Sequence, residues 1–235
     1  MSDHTSPQDR MLEAALMHVP FDGWGPETFA AAAAECDMSE AQARALFPRG
    51  ALDLALYMHQ VGDQAMVAAM QATDMSEMRF RDRVALGVRL RLEAIPDKEA
   101  VRRAVTLFAL PQNAAEGSKA IWGTADKIWT ALGDSSDDVN WYTKRMTLSG
   151  VYGSCVLYWM GDDSPDHANT WAFLDRRIED VMRFETVKAK VNNNPLFKPF
   201  LAGPKMILDR IKAPSRTPRA DMPGHFTTPA NQESK

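Results

Sequence analysis

RMLEAALMHVPFDGWGPETFAAAAAECDMSEAQARALFPRG, residues 10–50, is divided by its own punctuation into three short helical patterns. Met11, Leu12, Ala15, Leu16 and Val19 recur at helical spacing until Phe21-Asp22-Gly23-Trp24 interrupts them with a glycine. Pro26 suits the first turn of a second helix, through the alanine-rich Thr28 to Cys36, because a missing N–H costs nothing there. Asp37 and Met38 make a short turn, Ser39 caps a third helix, and Gln42 completes a capping box. Pro48 and Gly50 then stop propagation. Three short helices with a tight turn between the second and third predict a helix-turn-helix bundle.

The opening helix, the FDGW turn and MSEAQARALFP before a long fourth helix resemble the N-terminal domain of TetR-type proteins, whose usual work is DNA binding. The charges oppose that work. Between Glu27 and Phe47 the acids are Glu27, Glu35, Asp37 and Glu40, and Arg44 is the one cation, so the surface would repel phosphates rather than neutralise them. Gln42 and Arg44 alone could reach base edges. The pattern reads as a retained fold without nucleic-acid binding, and a TetR-type lipid-sensing transcriptional repressor is the rival reading.

Beyond residue 50 the periodicity stays helical and no alternating strand emerges. Leu52 to Met70 forms one helix, and Phe80, Val84, Val88 and Leu92 step by fours along the next. Pro96 and Pro111 bound a further segment, Ile121, Trp122, Ile128 and Trp129 mark another, and Trp141 to Met160 follows. Ser164-Pro165 is read as a cap and first turn launching a helix through Trp171, Leu174 and Ile178. The expected fold is all-α and TetR-like: a three-helix bundle at 1–50, a helical ligand-binding domain at 51–187, a basic amphipathic tail at 188–213 and a disordered segment at 214–235.

With 235 residues, 45% apolar and 25% charged, the chain can bury a sizeable core. No apolar run approaches the roughly 20 residues that span a bilayer. The opening MSDHTSPQDR has neither the apolar stretch of a signal peptide nor the Arg-rich character of a mitochondrial presequence, which predicts an intracellular protein, bacterial or already processed. Residues 188–235 carry nine Lys or Arg against three acids, a net of +6, on a chain of −4 overall, so an acidic body bears a basic tail. Such a tail suits an anionic lipid surface.

Catalytic motifs are missing. Cys36 and Cys155 stand apart, the five histidines are scattered, and neither GxSxG, Glu-x-x-His pairs nor phosphate-binding glycine loops occur. Neither enzyme activity, a metal nor a cofactor is therefore expected. The Arg-rich run from Arg79 to Arg103, interrupted by Asp82, Glu93, Asp97 and Glu99, reads as a solvated face with local ion pairs. Apolar volume is what the body offers: Leu86, Leu90, Phe108, Leu110, Leu148, Tyr152, Cys155, Val156 and Trp159 are the residues expected to converge on a ligand cavity, with 14 methionines lending it adaptability.

DVNWYTKRM, residues 138–146, places two aromatic rings and two cations at the start of a long helix, a composition that anchors protein interfaces. From LPQN at Leu110–Asn113 through NWYTKR and DDSPD to TWAFLDRRIEDVM, the chain resembles the coenzyme Q biosynthesis lipid-binding family, the accessory partner of the demethoxyubiquinone hydroxylase. The resemblance covers roughly Met11 to Lys212. It implies a TetR-like homodimer, cytoplasmic or matrix-facing and peripheral to the inner membrane, that binds polyprenyl quinone intermediates or another isoprenoid or phospholipid. It also implies presentation of those ubiquinone precursors to a di-iron hydroxylase.

Carried onto this sequence, the family's partner-docking patch falls on Asp138, Trp141, Tyr142 and Arg145, with Lys144 where the family has a second arginine. Membrane contact falls on Leu196, Phe197, Phe200, Leu201, Met206, Ile207 and Ile211, interspersed with Lys198, Lys205, Arg210 and Lys212. Pro199 and Pro204 predict that this helix is broken, leaving two short pieces or one from Pro204 to Ala213.

Overall fold

The computed structural model describes residues 6–95, 97–193 and 212–214, with side chains as far as Arg183 and again at 212–214. Among them the ordered elements are helices alone: α1 (Pro7–Asp22), α2 (Pro26–Glu35), α3 (Glu40–Leu46), α4 (Ala51–Ala72), α5 (Phe80–Glu93), α6 (Lys98–Ala109), α7 (Ala114–Ala131), α8 (Val139–Met160), a 3-10 turn at Pro165–His167, and α9 (Ala168–Asn193).

Local chemistry sets the first three boundaries. Ser6 caps α1 in a reciprocal box with Asp9, and Asp9 also accepts a 2.7 Å hydrogen bond from the Tyr57 hydroxyl on α4. Asp37, at φ 56°, turns the chain from α2 into α3, and Ser39 and Gln42 form the expected capping box. Gly50 opens α4 at φ 62°, a left-handed conformation that favours glycine.

One expected boundary fails. Ser164-Pro165 launches a 3-10 turn rather than the long helix, because Asp166 and His167 both adopt positive φ. α9 then begins at Ala168. The Asp162 carboxylate secures the junction by accepting from Thr170 N at 2.8 Å and Thr170 Oγ1 at 2.6 Å, hydrogen bonds that hold its pKa well below the usual carboxylate range.

Two apolar cores share α4. The N-terminal core joins Met11, Ala15 and Val19 of α1 to Phe29, Ala32 and Ala43, and reaches Leu54 of α4 and Ala100 and Ala104 of α6. Trp24 seals it, donating from Nε1 to the Ala100 carbonyl at 3.0 Å. The second core gathers Met66 and Met70 of α4, Val84, Val88 and Leu92 of α5, Ile128 of α7, Leu148 to Trp159 of α8, and Leu174 and Ile178 of α9. Gly87 lets α5 close on α7, since a Cβ there would stand 2.9 Å from Ile128 Cγ2. Phe80, expected to continue the α5 stripe inward, is half exposed at its start and packs its ring 5.7 Å from that of Trp129.

Candidate functional site

Spacing along α5 puts Val84, Val88 and Arg91 on one face, and spacing along α4 does the same for Asp63, Met66 and Met70. Two opposite charges are therefore carried into the interior, where Arg91 is 3% exposed and Asp63 1%. Arg91 Nε donates to Asp63 Oδ1 at 2.7 Å, Thr124 Oγ1 to the same oxygen at 2.8 Å, and Lys127 Nζ to Oδ2 at 2.8 Å. Burial opposes ionisation of Asp63, but the surrounding positive charges and donors prevail and hold its pKa below the ordinary value.

His59, one turn before Asp63, completes the cluster. Arg91 Nη2 lies 3.2 Å from His59 Nδ1 and can only donate, so Nδ1 accepts. The ring proton then sits on Nε2, which donates to Thr124 Oγ1 at 2.9 Å and to the Ala120 carbonyl at 3.1 Å. Burial pushes the His59 pKa down to about 4, and the Arg91 guanidinium acts in the same direction against the weaker pull of Asp63. The imidazole is neutral at pH 7.

His59 and Arg91 form one end of a cavity of about 380 Å³ enclosed by α4, α5, α6, α7 and α8. Its size lies within the range of roughly 300–1,000 Å³ of small-molecule sites. Met58, Val101, Ile121, Tyr152 and Val156 supply apolar wall, while the exposed Ala109, Ser118 and Leu157 mark its mouth. Phe108 is held against Gly117, where a Cβ would stand 2.7 Å from its own Cβ, so the α6–α7 wall is closed by the lack of a side chain.

Of the nine expected lining residues, Phe108, Tyr152 and Val156 meet at this cavity. Leu148 belongs to a second cleft of about 190 Å³ between α5, α8 and α9. Cys155 and Trp159 are core residues, and burial pushes the Cys155 thiol up to about 12. Leu86 and Leu90 are part-buried away from the cavity, Leu90 against the second core, and Leu110 is 43% exposed just beyond α6, where the helix has ended and its side chain turns outward. Arg91 likewise departs from the solvated face expected of the arginine run, whose other members Arg79, Arg89, Arg102 and Arg103 do make exposed local ion pairs. The readable signal was its i, i+7 relation to Val84 on an apolar stripe.

At the start of α8, Asp138 caps the helix by accepting from Asn140 N at 2.9 Å. Trp141 and Tyr142 are half-buried and meet edge to face at 4.8 Å, with Trp122 of α7 5.9 Å from Trp141. Arg145 departs from the expectation of a guanidinium at the rim of this patch. It is fully buried, because Asp126 and Asp134 draw it inward: Nε donates to Asp126 Oδ1 at 2.5 Å and Nη1 to Asp134 Oδ2 at 3.0 Å. Its Cζ lies 4.1 Å from the Trp141 ring centroid, so it acts beneath the patch by supporting that ring. Lys144 donates to Asp134 Oδ1 at 2.7 Å, and these donors hold the Asp134 carboxyl far below its ordinary pKa despite burial.

The membrane-contact residues Leu196 to Ile211 lie outside the described residues. At 212–214 the backbone is not helical, although Lys212 and Ala213 fall within the helix expected from Pro204 to Ala213. Ala213 N donates to the Asp137 carbonyl at 2.9 Å and the Tyr142 hydroxyl to the Lys212 carbonyl at 3.2 Å. Among the described residues no helix is long and apolar enough to cross a membrane, and no group of His, Cys, Asp and Glu could hold a metal ion.

The COQ9 family model matches residues 114–185, which take in α7, α8 and much of α9. Similar along most of the chain are ubiquinone biosynthesis protein COQ9 of Rattus norvegicus, 36% identical over 184 residues, and that of Homo sapiens, 35% identical over 185. The chain is similar to the COQ9 family. In each pairing 74% of this chain is aligned, with 58% of the rat and 57% of the human protein, so it spans less than two thirds of the length of these COQ9 relatives. Both relatives are named as mitochondrial. Among solved structures, a TetR transcriptional regulator from Nitrosomonas europaea superposes with a TM-score of 0.61 at 16% identity, covering 73% of this chain and 95% of the regulator, a likeness of fold. The COQ9 match contains Trp122, Trp141, Tyr142 and Tyr152 together with the Asp63 donors Thr124 and Lys127.

A buried neutral histidine makes stability depend on pH. The His59 pKa is lower folded than unfolded, so its contribution is complete above about 6.5 and is lost as pH falls toward 4, an amount on the order of 3 kcal/mol. Urea unfolding between pH 7 and 4.5 is expected to show this loss. His59→Gln, which keeps a donor and an acceptor without titrating, should flatten the profile over that interval.

Proposed function

We propose that this chain is a non-catalytic lipid-binding protein of ubiquinone biosynthesis. It takes polyprenyl quinone intermediates from the membrane and presents them to the di-iron demethoxyubiquinone hydroxylase. The observation that carries the reading is an apolar cavity of about 380 Å³ in a chain whose relatives are named for ubiquinone biosynthesis. In this proposal the Trp122, Trp141 and Tyr142 cluster is the docking surface, since aromatic side chains packed together on a rigid support make strong interface anchors. The basic, apolar tail from Leu196 to Lys212 is the membrane contact. Met146, Gly150 and Leu157 of α8 form an exposed stripe suited to a homodimer.

The helix-turn-helix supports no DNA-binding role in this reading. Arg44, the one cation between Glu27 and Phe47, donates from Nε to Glu40 Oε1 at 2.9 Å on the same exposed face. Its charge is thereby offset where a phosphate would need it.

Native mass spectrometry of the full chain purified with its lipids should show a co-purifying isoprenoid quinone precursor; a protein that carries no lipid at any collision energy would refute the cavity assignment. Trp141→Lys or Tyr142→Lys should reduce capture of the hydroxylase at least tenfold in a pull-down while the far-ultraviolet spectrum and melting temperature hold, whereas undiminished capture would remove the patch from the proposal. Deleting 195–235 should lower co-sedimentation with vesicles containing anionic phospholipid. Equal sedimentation of both forms would place the membrane contact elsewhere.

A further inference from the structure

The polar end of the cavity has donor capacity that the fold does not use. Arg91 presents five N–H groups in a planar fork. Nε is taken by Asp63 and Nη2 by His59, through Nδ1 at 3.2 Å and the carbonyl at 3.0 Å. Nη1, with two N–H groups, has no hydrogen-bond partner among the described residues, and Arg91 is part of the cavity wall while 97% buried. Nη1 is not among the fully buried unpartnered atoms of the described residues, so it keeps accessible surface and its two N–H groups are free to meet an incoming acceptor.

The charges around it favour an oxygen. Asp63 carries one negative charge against the positive charges of Arg91 and Lys127, and Lys127 is partly solvated at 41% exposure. His59 contributes none. The excess is positive, and it faces an otherwise apolar space with the Tyr152 ring alongside, 5.9 Å from Arg91 Cζ. Gly62 fixes the position of the donor, because a Cβ there would stand 2.6 Å from Nη1.

We infer that Arg91 Nη1 is a binding subsite for a hydrogen-bond-accepting oxygen on an apolar ligand, such as a ring carbonyl. The assignment rests on reading the cavity as a lipid pocket and adds to it which group of the molecule meets the polar part of the lining. A bulky phosphodiester is disfavoured, since one nitrogen supplies two donors and the remaining wall is apolar. An oxygen on a ring and one on a fatty carboxylate share the required chemistry.

Titration calorimetry of the full chain with three probes separates the possibilities: decylubiquinone, decylbenzene lacking any oxygen, and decanoate. The wild type should bind decylubiquinone about tenfold or more tighter than decylbenzene, the worth of one hydrogen bond to a charged donor. Arg91→Lys, which keeps a cation near Asp63 but loses Nη1 together with the Nη2 bonds to His59, should erase that preference, with the melting temperature reporting whether the cluster still holds. Gly62→Ala should weaken the preference without removing any donor. Preference for decanoate over decylubiquinone would support the subsite and assign its oxygen to a carboxylate. Equal binding of decylubiquinone and decylbenzene by the wild type would overturn the subsite while leaving the lipid pocket intact, and failure of all three probes to bind would overturn both.

Discussion

A single carboxylate ties the apolar cavity to the rest of the fold. Asp63 on α4 collects donors from Arg91 on α5 and from Thr124 and Lys127 on α7, so three helices converge on two oxygen atoms. Burying a charge is costly, and breaking such a pair by removing one partner leaves an uncompensated ion worth about 3–5 kcal/mol. Every wall of the cavity except the α6 and α8 sides therefore depends on a charge arrangement that has no cheap alternative. His59 extends it by linking α4 back to the Ala120 carbonyl of α7.

The same division between interior and surface holds in the helix-turn-helix, part of a fold this chain shares with a TetR regulator. A fold of helices is retained by its capping boxes and alanine-rich packing, features that do not depend on what the outer face touches. The outer face is free to change. Arg44 pairs with Glu40 on that exposed face at no cost to the core. The likeness to a TetR regulator is thus a record of packing.

Residues 10–50 were legible because caps, glycines and prolines act locally: Ser39 with Gln42 and Pro26 after Gly25 stand where their chemistry requires. The Ser164-Pro165 boundary was not, since the positive φ at Asp166 and His167 is a choice of backbone that neither residue type announces. Within the site, Phe108, Tyr152 and Val156 followed from apolar spacing, but Leu148, Cys155 and Trp159 obey the same spacing and pack elsewhere. Periodicity identifies an inward face without saying whether it meets a neighbour or a void. Arg145 and Arg91 were misread for one reason: local sequence shows their charge, and only tertiary structure brings Asp126, Asp134 and Asp63 within reach.

Gly117 lines the cavity, and Gly62 lies against the guanidinium of Arg91, which lines it too. Phe108 occupies the place of a missing Cβ at one, and Arg91 at the other. The chamber is consequently gauged at Gly117 by a hydrogen atom where a side chain would otherwise stand, and an added methyl there would re-dimension it, whereas one at Gly62 would press on the Arg91 guanidinium. The width at Gly117 is set by what a residue lacks, so it can change in one substitution without any alteration to the helices themselves.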